Sequence, residues 1–575
     1  MSKSQKKEVK LGNKVLVIAL DGGTFDILKP LIEKNKLPTI KMIIKKGVHG
    51  KLSSIIPPIS PTAWASFITG KNPGKHRVFS FFVRDDNTDR DVPVKSYLRK
   101  GKSIWDIIGE QRGKVIVLNV PTTYPPQQVN GILVSGFLTP KGKKDFIYPQ
   151  FLVKEIEEKF GKYPLFTMTP SYSANLSIAN FNRFMNELLE ILSYKFKVAH
   201  YLLDNFDFNF FMLHIWGTDK IQHELWNLLD ANHTQYDKNM SKKCRKRIFN
   251  YFSRIDSEIC KLMERINKEV TVFIISDHGF GPINKLINLN TWLLREGYIK
   301  IKRNIFSMLR LLLLKLGLTP EFLFKSVFKR LLRLKWTIMP KSPYEAIRYQ
   351  VENRNKFFLS LNDIDLLRSK AYSKVGSFGT IYINKQSKEL ARAVDPEKEY
   401  KNIRNEIAYK LSNLKDFENQ KKIESQVFFK ENLYKGKYID DAPDIIFYTQ
   451  ESGYLAGSIL GFGSNKVILN NLISSGHHRI DGIFMARGKN IISGKKIEAA
   501  NLVDLAPTIL YLLGLKIPKD MDGKLLKSIF THSFLKKNKP RYIDDAMVMK
   551  DEHRSLTKEE ETEIIKKLKE LRYIT

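Results

Sequence analysis

The chain has 575 residues, too many for one simple core, so one large domain with insertions, or two to three domains, is expected. Hydrophobic residues at 43% and charged residues at 27% are the composition of a soluble globular protein, and Lys+Arg 96 against Asp+Glu 60 leaves a net +36 that favours anionic partners: phosphorylated substrates, nucleic acid or acidic lipid. Cys244 and Cys260 are too few for a disulfide framework or a cysteine-based zinc site, the apolar run 15–20 is too short for a signal sequence, and no run of about 18 uncharged apolar residues suggests a membrane span, so the expected location is cytoplasmic.

The first element, VLVIAL over 15–20, reads as a strand buried on both faces and ends on Asp21-Gly22-Gly23. Glycines there let the backbone turn sharply and leave the carboxylate open to a ligand, although Asp21 or Thr24 could equally cap the next helix. Helices are expected over 25–34 and 40–46. Ser60-Pro61 marks another helix start, which Gly70 ends. A hydroxyl in that position is either a plain cap or a group held beside a phosphate. Strands follow at 115–118 and 132–134, and the irregular, aromatic stretch 141–180 reads as a loop-rich insertion over the sheet.

A helix over 184–203 leads to a buried strand at 208–215, and Asp219 and His223 then lie four residues apart. On a helix they share one face, which is metal-ligand spacing or an ordinary surface pair. The stretch 271–282, TVFIISDHGFGP, is a second buried strand that stops at Asp277-His278, at the carboxyl end where open α/β sheets bind ligands. Between 301 and 341 the composition shifts to Leu and Phe interleaved with ten Lys/Arg and one acid, Glu321. Helices there are expected to be basic and amphipathic, either a cap burying its apolar face on the core or an interfacial element on anionic membrane. The lysine-rich region 385–437 reads as surface helices, 444–447 as a short strand, and His477-His478-Arg479 precedes a strand at 482–486. An amphipathic helix is expected over 501–513, and a charged one from Ser555.

Asp21, Ser60, Asp219, His223, Asp277, His278 and a late His477 or His478 thus collect at strand ends and helix starts. Carboxylates and imidazoles in this mixture suit two divalent ions, zinc or else manganese, and such a pair can clamp the attacking and leaving oxygens of a phosphoryl transfer. The ordered set of strand-Asp, hydroxyl-bearing helix with Thr69-Gly70, Asp219-x-x-x-His223, Asp277-His278-Gly279 and Gly476-x-His478 resembles the alkaline phosphatase superfamily, specifically its type I phosphodiesterase/nucleotide pyrophosphatase branch with cytoplasmic prokaryotic relatives. The resemblance spans Val15 to about Leu525 and is least informative over 300–440.

It implies a three-layer α/β/α sandwich with a mostly parallel central sheet and inserted cap segments. The core would be 1–299 with 370–540, the cap 300–369, and the C-terminal helix or tail 541–575. One metal would take Asp219, His223 and His478; the other would take Asp21, Asp277 and His278, with the Ser60 oxygen between them. Counting ten residues back from Gly70 places the nucleophile at Ser60, with Thr62 as runner-up, and spacing favours His478 over His477. The implied reaction is hydrolysis of a small anionic phosphate ester through a phosphoseryl intermediate. The family's phosphoryl-binding Asn has no counterpart in Arg77-Val78-Phe79-Ser80-Phe81, which weakens nucleotide cleavage specifically. A sulfatase signature is absent around Ser60, and no nucleic-acid motif is evident. The alternatives are an inactive relative acting as a binding or membrane-surface protein, or a phosphoglycerate-mutase-like phosphotransferase.

Overall fold

Successive residues of a strand face opposite ways, so a strand apolar throughout must be covered on both sides. β1 (Lys14–Leu20) does this: Leu16, Ile18 and Leu20 join one apolar core, and Val15, Val17 and Ala19 join another on the opposite face. The computed structural model describes residues 13–86, 90–165, 177–323, 357–374, 376–471, 473–544 and 557–570. Residues 166–176 of the expected insertion, 324–341 of the basic segment, and Ser555 lie outside them.

The remaining strands of the central sheet are β2 (Val48–Ser53), β3 (Val115–Val120), β4 (Gly131–Ser135), β5 (Ile147–Tyr148), β6 (Phe210–Ile215) and β7 (Val270–Ile275), followed later by two more. β8 (Gly279–Pro282) is a short strand outside it. A separate four-stranded antiparallel sheet holds β9 (Ala371–Tyr372), β10 (Gly379–Ile383), β11 (Gln426–Phe429) and β12 (Ile445–Tyr448). β13 (Gly476–Arg479) pairs with β8, and β14 (Asp481–Arg487) and β15 (Lys495–Asn501) complete the central sheet. Its order is β15-β2-β14-β7-β1-β6-β3-β4-β5. The run β7-β1-β6-β3-β4 is parallel, whereas β14 runs antiparallel to both neighbours and β5 is antiparallel at its edge.

Helices cover both faces. α1 (Ser60–Thr69) lies on one, with Trp64 and Phe67 in the second core; α2 (Ile178–Asn205), α3 (Gly217–Leu229) and α4 (Lys238–Arg265) lie on the other. This is the three-layer arrangement with a mostly parallel sheet expected from the sequence. The stretch 141–180 is less irregular than its aromatic content suggests: it contains β5 and a helix, Phe151–Phe160, that buries Leu152, Val153 and Ile156. Those three positions follow helical spacing, a signal that the flanking aromatics obscure.

A third core lies under the antiparallel sheet. It joins Leu314 of α5 (Ile305–Lys315) to Ile381, Ile445 and the Ile403 and Ile407 face of α6 (Pro396–Ser412). The boundary expected at 370 therefore falls inside one apolar cluster. α7 (Lys558–Glu570) docks near the start of α1, with Ile564 and Leu568 buried among Ile59, Phe81 and Trp216, and ion pairs from Lys95 to Glu561 and from Lys143 to Glu560.

Candidate active site

The parallel register sets the site. Leu20 of β1 pairs with Ile215 of β6, and Ala19 pairs with Ile275 of β7, so the next residues of all three strands emerge together at the carboxyl edge. They are Asp21, the start of α3, and Ser276-Asp277-His278. The chain turns after Asp21 through Gly22 at φ +64, and a side chain there would also meet the Phe280 ring. The Gly22 N–H donates to Asp277 Oδ1 at 3.1 Å. β13 lies antiparallel to β8 with His478 opposite Phe280, which returns a third imidazole to the cluster. Ser60, the first residue of α1, places its Oγ 3.1 Å from His278 Nε2.

Two buried triads result, each with one donor atom per residue, all within 4.8 Å of one another: Asp219, His223 and His478, and Asp21, Asp277 and His278. His478 Nε2 is 3.2 Å from Asp219 Oδ1, and His223 Nε2 is 3.4 Å from it. His278 Nε2 is 3.3 Å from Asp277 Oδ2 and 3.6 Å from Asp21 Oδ1. The rings of His278 and His478 stack with centroids 3.6 Å apart, linking the triads. All seven residues expected from the sequence are thus within one cluster. Thr62 is fully buried and its Oγ1 has no hydrogen-bond partner among the described residues; His477 packs against the Phe378 and His223 rings and belongs to neither triad.

The hydrogen bonds fix which ring nitrogen of each imidazole must carry a proton. His223 Nδ1 faces Gly476 O at 3.0 Å, His478 Nδ1 faces Pro58 O at 2.8 Å, and His278 Nδ1 faces Gly279 O at 3.0 Å. A carbonyl only accepts, so each Nδ1 carries the proton, and a neutral ring then turns a lone pair inward at Nε2. His223 Nε2 and His478 Nε2 are 3.0 Å apart. With both rings neutral, two lone pairs face each other at that distance beside a carboxylate, and a metal ion or a proton among them relieves the repulsion. In the other triad, Asp21 Oδ1 and Asp277 Oδ2 are buried without a hydrogen-bond donor among the described residues. Buried charges need a partner of opposite sign, so the donor set fits divalent metal in both places.

The electrostatics agree. Burial, then the neighbouring Asp277 and Asp219 charges, push Asp21 well above the usual carboxylate range, and burial does the same to Asp277. Burial would raise Asp219 too, but the imidazoles of His223 and His478 hold it low. Burial takes His223 down to about 4 and His278 well below its ordinary value, so both rings are neutral near pH 7.

Sequence reasoning missed the residues that orient these groups. His214, the next-to-last residue of β6, sits beside Ala19 in the register and places Nε2 2.7 Å from Asp21 Oδ2, donating to it when the carboxylate is ionised, and Trp64 Nε1 donates to the same oxygen at 3.3 Å. With Oδ2 so engaged, Oδ1 faces the triad. Thr218 Oγ1 donates to the Asp21 carbonyl at 2.6 Å, and Gln222 Nε2 to the Gly22 carbonyl at 2.8 Å. Lys195 of α2 is buried nearby, its pKa lowered to about 8 by burial against the pull of Asp21. A lone His in an apolar strand carries no local signal; only the β1–β6 pairing reveals it.

Beside the triads opens a cavity of about 890 Å³ whose lining includes Ile59, Phe79, Phe81, Tyr372 and Phe378. Ile59 precedes Ser60, and the Phe378 ring lies 5.6 Å from that of His478, so the cavity adjoins the cluster. Leu361, Ile364 and Leu366 of the 300–369 segment and Ile565 and Lys569 of α7 also contribute to its wall.

A mostly parallel α/β sheet carrying paired Asp/His clusters at its carboxyl edge and a serine at a facing helix start is the architecture of a phosphoric ester hydrolase of the alkaline phosphatase superfamily. Within it, the chain belongs to the type I phosphodiesterase / nucleotide pyrophosphatase family, whose sequence model matches residues 15–461. No curated protein matches the chain in sequence. Among solved structures it is similar to murine ectonucleotide pyrophosphatase / phosphodiesterase 5, an inactive form in complex with AMP, at 13% identity and a TM-score of 0.47, covering 90% of this chain and 100% of that one. It is similar at 14% identity, with the same TM-score of 0.47 and the same 90% and 100% coverage, to the human protein of that name.

Proposed function

We propose that the protein hydrolyses phosphoric esters with two divalent cations and with Ser60 as nucleophile. The observation that carries this reading is the approach of His223 and His478 Nε2 to 3.0 Å, each ring already committed through Nδ1 to a backbone carbonyl. Asp219, His223 and His478 would hold one cation, and Asp21, Asp277 and His278 the other. When bound, such a pair supplies Lewis acidity to the phosphoryl oxygens and lowers the pKa of an adjacent hydroxyl or water. The mixed nitrogen and oxygen donors suit zinc, with manganese as the alternative.

Ser60 Oγ stands at the start of α1, whose N-terminus adds positive potential where phosphoryl charge gathers. The serine oxygen, its proton lost to solvent, attacks phosphorus in line. The bond to the leaving oxygen breaks as the Oγ–P bond forms, and water then hydrolyses the phosphoryl-serine. The cavity beside Ser60, lined by aromatic rings together with charged side chains such as Arg77, Lys374 and Asp444, receives the leaving group of a small anionic ester. We keep 1–299 and 370–540 as the catalytic unit, 300–369 as an insertion that shares a core with the antiparallel sheet, and 541–575 as a C-terminal segment. Acid quenching during steady-state turnover of a p-nitrophenyl ester, followed by peptide mass analysis, tests the covalent step: a phosphorylated peptide containing Ser60 is expected. Turnover with unmodified Ser60 and full activity in Ser60→Ala would overturn it.

A further inference from the structure

A helix at the surface of a water-soluble domain turns its apolar side inward and its polar side out. α5 does so only in part: Leu314 is buried and Leu311 packs against the third core, but most of its large apolar residues face outward. Its inward polar residues hold it to the protein: Ser307 is buried and its Oγ donates to Asp363 Oδ1 at 2.7 Å, and Arg310 Nη1 donates to the same oxygen at 2.7 Å. Among its large apolar residues only Leu314 is fully buried. Ile305, Phe306, Met308, Leu309 and Leu312, with Leu316 just beyond, point outward and are between 48% and 79% exposed. Further on, Leu318 and Phe322 extend the same exposed apolar surface. Over Ile305–Lys315 only Leu314 and, in part, Leu311 reach the core, and Asp363 holds the polar residues Ser307 and Arg310 instead.

The exposed charged side chains of 300–323 are of one sign. Lys300, Lys302, Arg303 and Lys315 are exposed around the helix, and the single acid within 301–323, Glu321, is buried. An apolar face of this extent marks a binding surface, and a rim of cations around it matches acidic headgroups. At eleven residues α5 is far too short to span a bilayer, and no described helix is long and apolar enough to cross one.

We propose that the outer face of α5 is a membrane-binding surface: Phe306, Leu309, Leu312 and Leu316 enter the headgroup boundary of an anionic leaflet while Lys302, Arg303 and Lys315 contact its lipid phosphates and carboxylates. The helix lies in the plane of the interface and holds the whole enzyme there. This rests on the face of α5 alone and is independent of the metal and nucleophile assignments.

The test is sedimentation of the full chain with vesicles of phosphatidylserine and phosphatidylcholine at about a 3:7 ratio, against vesicles of phosphatidylcholine alone, at physiological ionic strength. Wild type should pellet with the anionic vesicles and remain in the supernatant with the neutral ones. Phe306→Ser with Leu309→Ser and Leu312→Ser should reduce binding at least tenfold while leaving hydrolysis of a soluble ester unchanged. Lys302→Glu with Arg303→Glu and Lys315→Glu, which leaves the apolar face intact, should do the same. Failure of wild type to bind anionic vesicles, or undiminished binding by both variants, would overturn the proposal. So would a wild-type dimer in sedimentation velocity that the serine variant converts to monomer without any effect on vesicle binding, since the face would then join two copies of the chain.

Discussion

If His214 holds Asp21 in position, its removal has a calculable consequence. Replacing His214 with Phe keeps an aromatic ring, somewhat larger, edge-to-face on Trp64, whose centroid lies 5.1 Å away, but deletes the Nε2–H that reaches Asp21 Oδ2 at 2.7 Å. That oxygen keeps only the longer 3.3 Å bond from Trp64. Leaving a buried carboxylate short of a donor costs about 1–3 kcal/mol, and loss of such an orienting partner lowers metal affinity by roughly 10–100-fold. Burial and the neighbouring acids already push Asp21 upward, so the lost donor raises it further, and metal uptake, which needs the carboxylate ionised, should begin at a higher pH. Zinc titration by calorimetry in a competing buffer reads the affinity. Trp64→Phe, which deletes the weaker bond, should show the smaller effect. Metal affinity in His214→Phe equal to wild type, in a variant of unchanged circular dichroism, would refute the positioning role.

The remaining expectations concern neighbouring groups. Ser60→Ala should lower turnover by at least about a thousandfold with the fold intact, while Thr62→Ala leaves the chemistry in place; steady-state kinetics on a p-nitrophenyl ester decide between them, and the reverse pattern would move the nucleophile to Thr62. His478→Ala should remove one bound metal ion and His477→Ala none, read by elemental analysis, because only His478 is in a triad. His76, remote in sequence from the triads, accepts from Val78 N–H at Nδ1 and donates from Nε2 to Ser66 Oγ, and burial lowers its pKa to about 3. The unfolded chain takes up the proton first, so stability is present above the ordinary histidine value and falls with pH between about 6.5 and 3, by at most about 1.4 kcal/mol per unit from this residue. His76→Gln should flatten that part of the thermal-stability profile, and an unchanged slope would contradict the assignment.

Local signals made part of this molecule legible from its sequence. β1 and β7 are apolar on both faces, and the Ser-Pro and Thr-Gly pairs bracket α1, so strand ends and the helix start could be located, and with them Asp21, Ser60 and Asp277-His278. Asp219 and His223 were readable because four residues of helix place them on one face. The orienting shell was not readable. His214 meets Asp21 only because β6 pairs with β1 in one register, and Trp64 reaches it only through the packing of α1 on the sheet. The direction of α5 was hidden for a similar reason: composition predicts an amphipathic helix, but the choice of face depends on Asp363, some fifty residues away in sequence.

The central claim is that two divalent ions lie in the two triads, and metal stoichiometry tests it most directly. Protein purified without chelator, or reconstituted and freed of excess ion, should contain two equivalents of zinc or manganese per chain by elemental analysis. Chelation should abolish ester hydrolysis, and readdition should restore it in step with occupancy. A chain that holds no more than one ion at saturation, or that hydrolyses phosphate esters when metal-free, would contradict the account.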